Sequence, residues 1–194
     1  MASWIWAIDA NAGWAGWEKQ KKAAYLSLSF NTLANVLPVY TMATVLVTSV
    51  PNMVNQVIAA SSGDKISRLI LMGHGASGVQ CVGCGEYVNL GSTTPDFLAI
   101  DPSTGSLMNN VAPQLNGLVP YLAAGARVSL AGCDVAALPD GPALLEQISL
   151  ALFGTTVEGG KWIQDAAIPG YFGPVLRCTN GFCSTIYGPY KEFR

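Results

Sequence analysis

Charge is scarce in this sequence. Charged residues make up 11% of the 194 positions, against about 25% in an ordinary soluble domain. Ten Lys and Arg stand against twelve Asp and Glu, and the densest basic stretch is Lys19–Lys22. No cluster of bases is available to neutralise a phosphate backbone, which excludes nucleic-acid binding. Charge is missing altogether between Lys22 and Asp64. The most apolar window there, Leu33–Val50, is nevertheless broken by Asn35, Pro38, Thr41, Thr44, Thr48 and Ser49, so no membrane span is expected. The opening Met1–Asp9 has no basic flank before its short apolar run and does not read as a secretory signal. The expected location is the cytoplasm, or outside the cell by a route without a cleavable signal peptide.

What the chain has in quantity is hydrophobic residues, 51% of it, enough for one sizeable core and too short a chain for two ordinary ones; a single domain over 1–194 is expected. Short apolar runs of strand length alternate with stretches of helical period, the pattern of an α/β fold with a mostly parallel central sheet flanked by helices. Strands are expected at Ser3–Ile8, Ala43–Ser49, Ser67–Met72 and Arg127–Ala131, with a C-terminal β-hairpin over Val175–Tyr187. Helical spacing marks Asn52–Ser61 and Gly141–Phe153. Asn109–Ala124 also reads as helix, with Pro113, Gly117 and Pro120 at its ends or at a kink. Ser92–Ser106, rich in Thr, Pro, Asp and Gly, reads as an exposed loop.

Five cysteines cannot all pair within one chain, so at least one thiol stays outside an internal disulfide. Cys81 and Cys84 form a Cys-x-x-Cys. Cys178 and Cys183 flank Asn180–Gly181, a strong hairpin signal that sets them opposite one another at disulfide distance. The four could instead supply a four-thiolate zinc site; local disulfides or plain thiols fit the second pair better, and no metal is expected. A thioredoxin-type role for Cys81 and Cys84 fails because the motif lies between Gly78 and Gly85 in a hairpin and not at a helix start.

The fifth cysteine, Cys133, follows the apolar run Val128–Leu130, and the only histidine, His74, follows Ile70–Met72. Polar residues just past the carboxyl ends of parallel strands emerge at one edge of a sheet, where sites form. Taken singly, each has a plain structural explanation, a buried thiol or a turn-satisfying imidazole. Both are preceded by Gly, and Gly75 also follows His74, so a substrate backbone can approach and peptide N–H groups can point inward.

The blocks Leu69-Ile-Leu-Met-Gly-His74-Gly75 and Val128-Ser-Leu-Ala-Gly-Cys133-Asp134 resemble the paired motifs of the caspase-like superfamily of cysteine peptidases, which includes caspases, gingipains, clostripain and the self-processing peptidase domains of bacterial toxins. Gly132-Cys-Asp-Val135, followed by a turn and an apolar helix, also looks like a caspase-like domain of large bacterial surface proteins. The resemblance covers about Ala43–Thr156 and implies a three-layer caspase-like sandwich. It implies a cysteine endopeptidase with Cys133 as nucleophile, His74 as acid and base, and the N–H groups of Gly75 and Cys133 as oxyanion hole. The partner implied is a peptide or protein substrate. No cofactor is carried over, because the basic surface with which toxin-type relatives hold an inositol phosphate has no counterpart here.

Within that family the pocket for the residue before the scissile bond is built from loops near the nucleophile and from the strand after the following helix, here Asp134–Asp140 and Thr156–Trp162. Asp134, Glu158 and Trp162 are the candidates, the two carboxylates favouring a basic substrate residue; Tyr171 and Phe172 could add apolar lining. Gly73-His-Gly-Ala-Ser77-Gly also resembles the oxyanion turn of α/β hydrolases, but a serine hydrolase would need a second histidine. The competing class is a catalytically silent caspase-like domain serving as a binding module in a larger protein assembly, which suits a charge-poor surface.

Overall fold

The computed structural model of this chain describes residues 2–11, 40–85, 88–162, 170–187 and 190–192. A seven-stranded mixed sheet organises them. Its members are β1 (Ala2–Asp9), β2 (Tyr40–Val47), β3 (Lys65–Met72), β7 (Leu122–Leu130), β8 (Thr156–Gly160), β10 (Val175–Thr179) and β11 (Phe182–Ile186), in the order β11-β10-β8-β7-β3-β1-β2. From β2 to β8 every neighbouring pair is parallel, whereas β10 runs antiparallel to β8 and to β11. The chain places β2 on one side of β1 and β3 on the other, so the winding reverses between β1 and β3, and the crevice at their carboxyl ends is where α/β sheets bind ligands.

A small three-stranded sheet of β4 (Gly75–Ala76), β5 (Val79–Cys81) and β6 (Phe97–Ala99) follows β3 directly, and β9 (Gly170–Phe172) pairs with β12 (Tyr190–Glu192). The α-helices among the described residues are α1 (Val50–Ser61), α2 (Ala112–Asn116) and α3 (Gly141–Ala151). None is long and apolar enough to cross a membrane.

Residues alternate between the faces of the central sheet. Leu69, Leu71, Val128, Leu130 and Val157 point to one face, where they bury against Met53 and Val57 of α1, Leu115 of α2 and Leu144, Leu145 and Ile148 of α3. All three helices therefore cover the same face. Each such side chain taken fully from water contributes about 1.5–3 kcal/mol. On the opposite face Trp6, Ile8, Ile70, Met72, Tyr171 and Val175 form a second buried cluster.

Helix α1 begins where the sequence directs it: Ser49 takes the extended cap conformation, its Oγ accepts from the Asn52 N–H at 3.2 Å, and Pro51 sits in the first turn, where no backbone donor is lost. The helix expected over Asn109–Ala124 is broken up. Only Ala112–Asn116 is α-helical, flanked by single 3-10 turns at Met108–Asn110 and Val119–Tyr121, and β7 already begins at Leu122. Pro113 starts the short helix and Pro120 starts the second turn, so the prolines divide the segment into pieces. Two further expectations fail on burial. Thr156–Gly160, expected from the resemblance to be a strand that helps line a substrate pocket, is the strand β8 but runs through the interior, and the supposed exposed loop Ser92–Ser106 contains the fully buried β6. Gly159 and Gly160 leave β8 without a local strand signal, so only the resemblance put a strand there.

Replacing Ser49 with Ala should lower unfolding free energy by about 1 kcal/mol, read as a lower denaturant midpoint at unchanged slope.

Candidate active site

The pairing of β3 with β7 decides the geometry of the rim. Leu71 stands in register with Leu130, and the ladder continues one step further through the Ala131 N–H, which donates to the Leu71 carbonyl at 2.9 Å. Beyond that step the two chains touch backbone to backbone. A Cβ added at Gly75 would lie 2.8 Å from the Gly132 Cα and 2.6 Å from Val135 Cγ2, and one added at Gly132 would lie 2.9 Å from the Gly75 Cα. Only glycine fits either position. His74 and Cys133 are the residues next to this contact in sequence, so both lie at one edge of the sheet, and both are half-buried. Cys133 is outside both disulfides.

Hydrogen bonds hold the rim from three sides. The Cys81 N–H donates to the His74 carbonyl at 2.9 Å, which ties the histidine turn to β5. Bonded and non-bonded pairs alternate along an antiparallel ladder, so the next pair, Gly75 with Gln80, is a non-bonded one and the Gly75 N–H faces away from β5. The buried Gln80 spans the junction: its Oε1 accepts from the Gly132 N–H at 2.9 Å and its Nε2 donates to the Cys81 carbonyl at 2.8 Å. After Cys133 the chain turns sharply, with Asp134 at φ 39° in the left-handed region. The Asp134 N–H donates to the Trp162 carbonyl and the Ala136 N–H to the Gly160 carbonyl, both at 3.0 Å, fastening the turn to the end of β8. On the other flank the Gly78 N–H donates to the Val135 carbonyl and Ser77 Oγ to the Ala137 carbonyl. Ser77 is thus occupied in holding the loop.

Asp134, half-buried, and Trp162, 60% exposed, therefore stand beside Cys133. Glu158 does not. It lies on β8 with no exposed surface, on the face away from the helices; its Oε1 accepts from Arg68 at 2.8 Å and from Ser129 Oγ at 3.0 Å, and its Oε2 from Arg177 at 3.0 Å. Burial pulls the Arg68 guanidinium below its ordinary value, and Glu158 opposes that shift. Tyr171 belongs to the same interior: its hydroxyl donates towards the carbonyls of Glu158 and Leu130, at 2.8 and 3.1 Å, and burial, reinforced by the Glu158 charge, pushes its phenol well above the ordinary range. The assignment of Glu158 to a substrate pocket is corrected accordingly, and Tyr171 lines the core. Alternation along β8 sends residue 158 to the face opposite Val157, and only the register of β8 with β7 and β10 decides which face that is.

The cysteines outside the rim form two separate local disulfides, Cys81–Cys84 and Cys178–Cys183. The first pair is on the small sheet and the second joins β10 to β11, so the four do not converge on one four-thiolate site. Two residues that sequence reasoning passed over also belong near the rim. Gln80 carried no sequence signal. Asp9 did carry one, since it ends the apolar run of β1 as His74 follows that of β3.

No protein-family model, curated protein or solved structure matches this chain.

Glu158→Gln should destabilise the fold by about 3–5 kcal/mol, because it leaves buried Arg68 facing an uncharged partner; denaturant unfolding measures this, and a loss under about 1 kcal/mol is what a surface pair would give. Gly132→Ala should cost about 1–3 kcal/mol through forced displacement of Gly75 and Val135, and should change the rate at which a thiol reagent modifies Cys133, measured on protein shown to be folded by circular dichroism.

Proposed function

We propose that the chain is a cysteine endopeptidase of the caspase-like type, with Cys133 as nucleophile and His74 as acid and base. The reading is supported by one observation: the β3–β7 register and the Gly75–Gly132 contact bring residues 74 and 133, each half-buried, to the same edge at the carboxyl end of a parallel sheet. The strand order β2-β1-β3-β7-β8, with antiparallel β10 beyond it, supports a caspase-like sandwich as the finer description of the fold.

In the reaction the Cys133 sulfur, as thiolate, bonds to the substrate carbonyl carbon, and the carbonyl oxygen gains the negative charge. The N–H groups of Gly75 and Cys133 stabilise that oxyanion. His74 gives a proton to the leaving amine as the carbon–nitrogen bond breaks, and the acyl group remains as a thioester. Water, deprotonated by His74, then attacks the thioester and releases the acid and the thiol. With Glu158 withdrawn into the core, Asp134 and Trp162 are the residues left to choose the substrate. An acidic residue on the turn after Cys133 and an exposed aromatic one just past β8 suit Arg or Lys, whose cation is met by the charge and whose alkyl stem packs on a ring.

Cys133→Ala should reduce cleavage of a peptide library by on the order of 10³-fold or more, with the wild-type profile favouring Arg or Lys before the cut. Turnover that survives this substitution removes Cys133 as nucleophile. A strict preference for Asp overturns the role given to Asp134. If wild type cleaves nothing and Cys133 resists a thiol-directed probe at neutral pH, the chain is instead a binding module on the same scaffold.

A further inference from the structure

We propose that Asp9, Cys81 and Cys84 form a site for a thiophilic divalent cation, Zn²⁺ first among them, which opens when the Cys81–Cys84 disulfide is reduced. This is independent of the peptidase reading. A carboxylate oxygen of Asp9 and the two sulfurs all lie within 4.8 Å of one another, the sole such group of three or more metal-ligating side chains among the described residues. Zinc bonds of about 2.3 Å to sulfur and 2.0–2.2 Å to oxygen in a tetrahedron set ligand atoms roughly 3.5–3.8 Å apart, a spacing that side-chain adjustment within this group can reach once the sulfur–sulfur bond is open.

The surroundings are those of a ligating carboxylate. Asp9 is only 2% exposed, at the carboxyl end of β1 and hence at the point where the sheet's winding reverses. Its Oδ1 accepts from the Asn11 N–H at 2.8 Å and its Oδ2 from the Gly85 N–H at 3.2 Å, donors of the kind that orient a metal-bound carboxylate from outside. Asn11 Nδ2 closes the ring by donating to the Gly83 carbonyl at 2.7 Å, which ties the Cys-x-x-Cys loop to the end of β1. The segment Cys81-Val-Gly-Cys84-Gly has the spacing of a zinc knuckle. What sequence alone could not supply was the third ligand, which is Asp9 and not the pair Cys178–Cys183, engaged with each other on the sheet edge.

In the form described here Cys81 and Cys84 are joined. Cys84 is the half-buried member and Cys81 the buried one, so a dithiol reductant attacks at Cys84. Two electrons and two protons pass to the pair, giving two thiols, and the reductant leaves as its own disulfide. Binding of the cation then expels the two thiol protons and holds two thiolates with the Asp9 carboxylate. Three protein ligands leave the fourth tetrahedral position to water or another small ligand. The site also adjoins the histidine turn, since the Cys81 N–H donates to the His74 carbonyl and a Cβ at Gly73 would lie 3.2 Å from the Asp9 Cβ.

The test uses the full chain, reduced anaerobically with a dithiol, transferred to metal-free buffer and titrated with Co²⁺ and with Zn²⁺. One equivalent should bind, with thiolate-to-cobalt charge-transfer absorption in the near ultraviolet. Uptake should be absent from the oxidised chain. Cys84→Ser should weaken binding at least about 10-fold, and Asp9→Asn about 10- to 100-fold. Asp9 is buried, so a loss of binding in its variant is equally the result of unfolding, and Cys84→Ser, at the half-buried position, carries the decision by itself. Cys178→Ser with Cys183→Ser should leave the stoichiometry unchanged. No uptake by the reduced chain overturns the proposal, as does binding that survives Cys84→Ser. So does binding abolished by Cys133→Ser, or by the Cys178 and Cys183 pair of substitutions, in folded protein.

Discussion

The α-carbons of Gly75 and Gly132 approach so closely that neither position has room for a methyl group, and the whole carboxyl-end rim is arranged around that contact. Two parallel strands in hydrogen-bonded register deliver their continuations side by side, but side chains would ordinarily push those continuations apart as they leave the ladder. Glycine on both lets them stay together. The neighbours in sequence, His74 and Cys133, are then carried to the same edge without any loop having to fold over to bring them there. Gln80 completes the junction by spending both ends of its amide on it, and the Asp134 turn is fastened on one side to the end of β8 and on the other to the β4–β5 turn.

Scarcity of charge gives a second constraint its weight. Of the few acidic residues in the chain, Glu158 is placed at the centre of the sheet between Arg68 and Arg177, with Ser129 sharing an oxygen. A buried carboxylate is tolerable only when its lone pairs are filled and its charge is met, and four strands contribute to doing so: β3, β7, β8 and β10. The cluster links the parallel part of the sheet to its antiparallel edge. Its members sit on the face away from the three described helices, so one side of the sheet is joined to helices by hydrocarbon while the other combines this ionic cluster with the apolar group of Trp6, Ile70 and Val175.

The same division of labour recurs at the switch point. There the end of β1, the end of β3 and the Cys81–Cys84 loop meet through Asp9, Asn11 and the His74 carbonyl. A strand end, a disulfide loop and the histidine turn share one set of backbone bonds. The Cys178–Cys183 pair does something simpler, joining two antiparallel strands across register positions that face each other directly.

Much of this was legible in the residues. Apolar runs of strand length located β1, β3 and the later part of β7; periodic Met53, Val57, Leu144 and Ile148 located α1 and α3; and glycines beside His74 and Cys133 marked the rim, because these patterns are local and a single stretch of chain contains them. Strand β8 was legible only through the resemblance, since its Gly159 and Gly160 have no strand preference and its existence depends on having β7 and β10 on either side. Glu158 looked like any loop carboxylate for the same reason: which face a strand residue takes, and which arginines await it there, is settled only when distant strands are laid in register. Asp9 beside Cys81 and Cys84 is likewise a product of assembly. Sequence by itself determined which segments could be strands, helices and turns, through the short-range periodicity of hydrophobic side chains. Tertiary structure decided which charges are buried and which polar groups converge, because those depend on contacts between residues far apart along the chain.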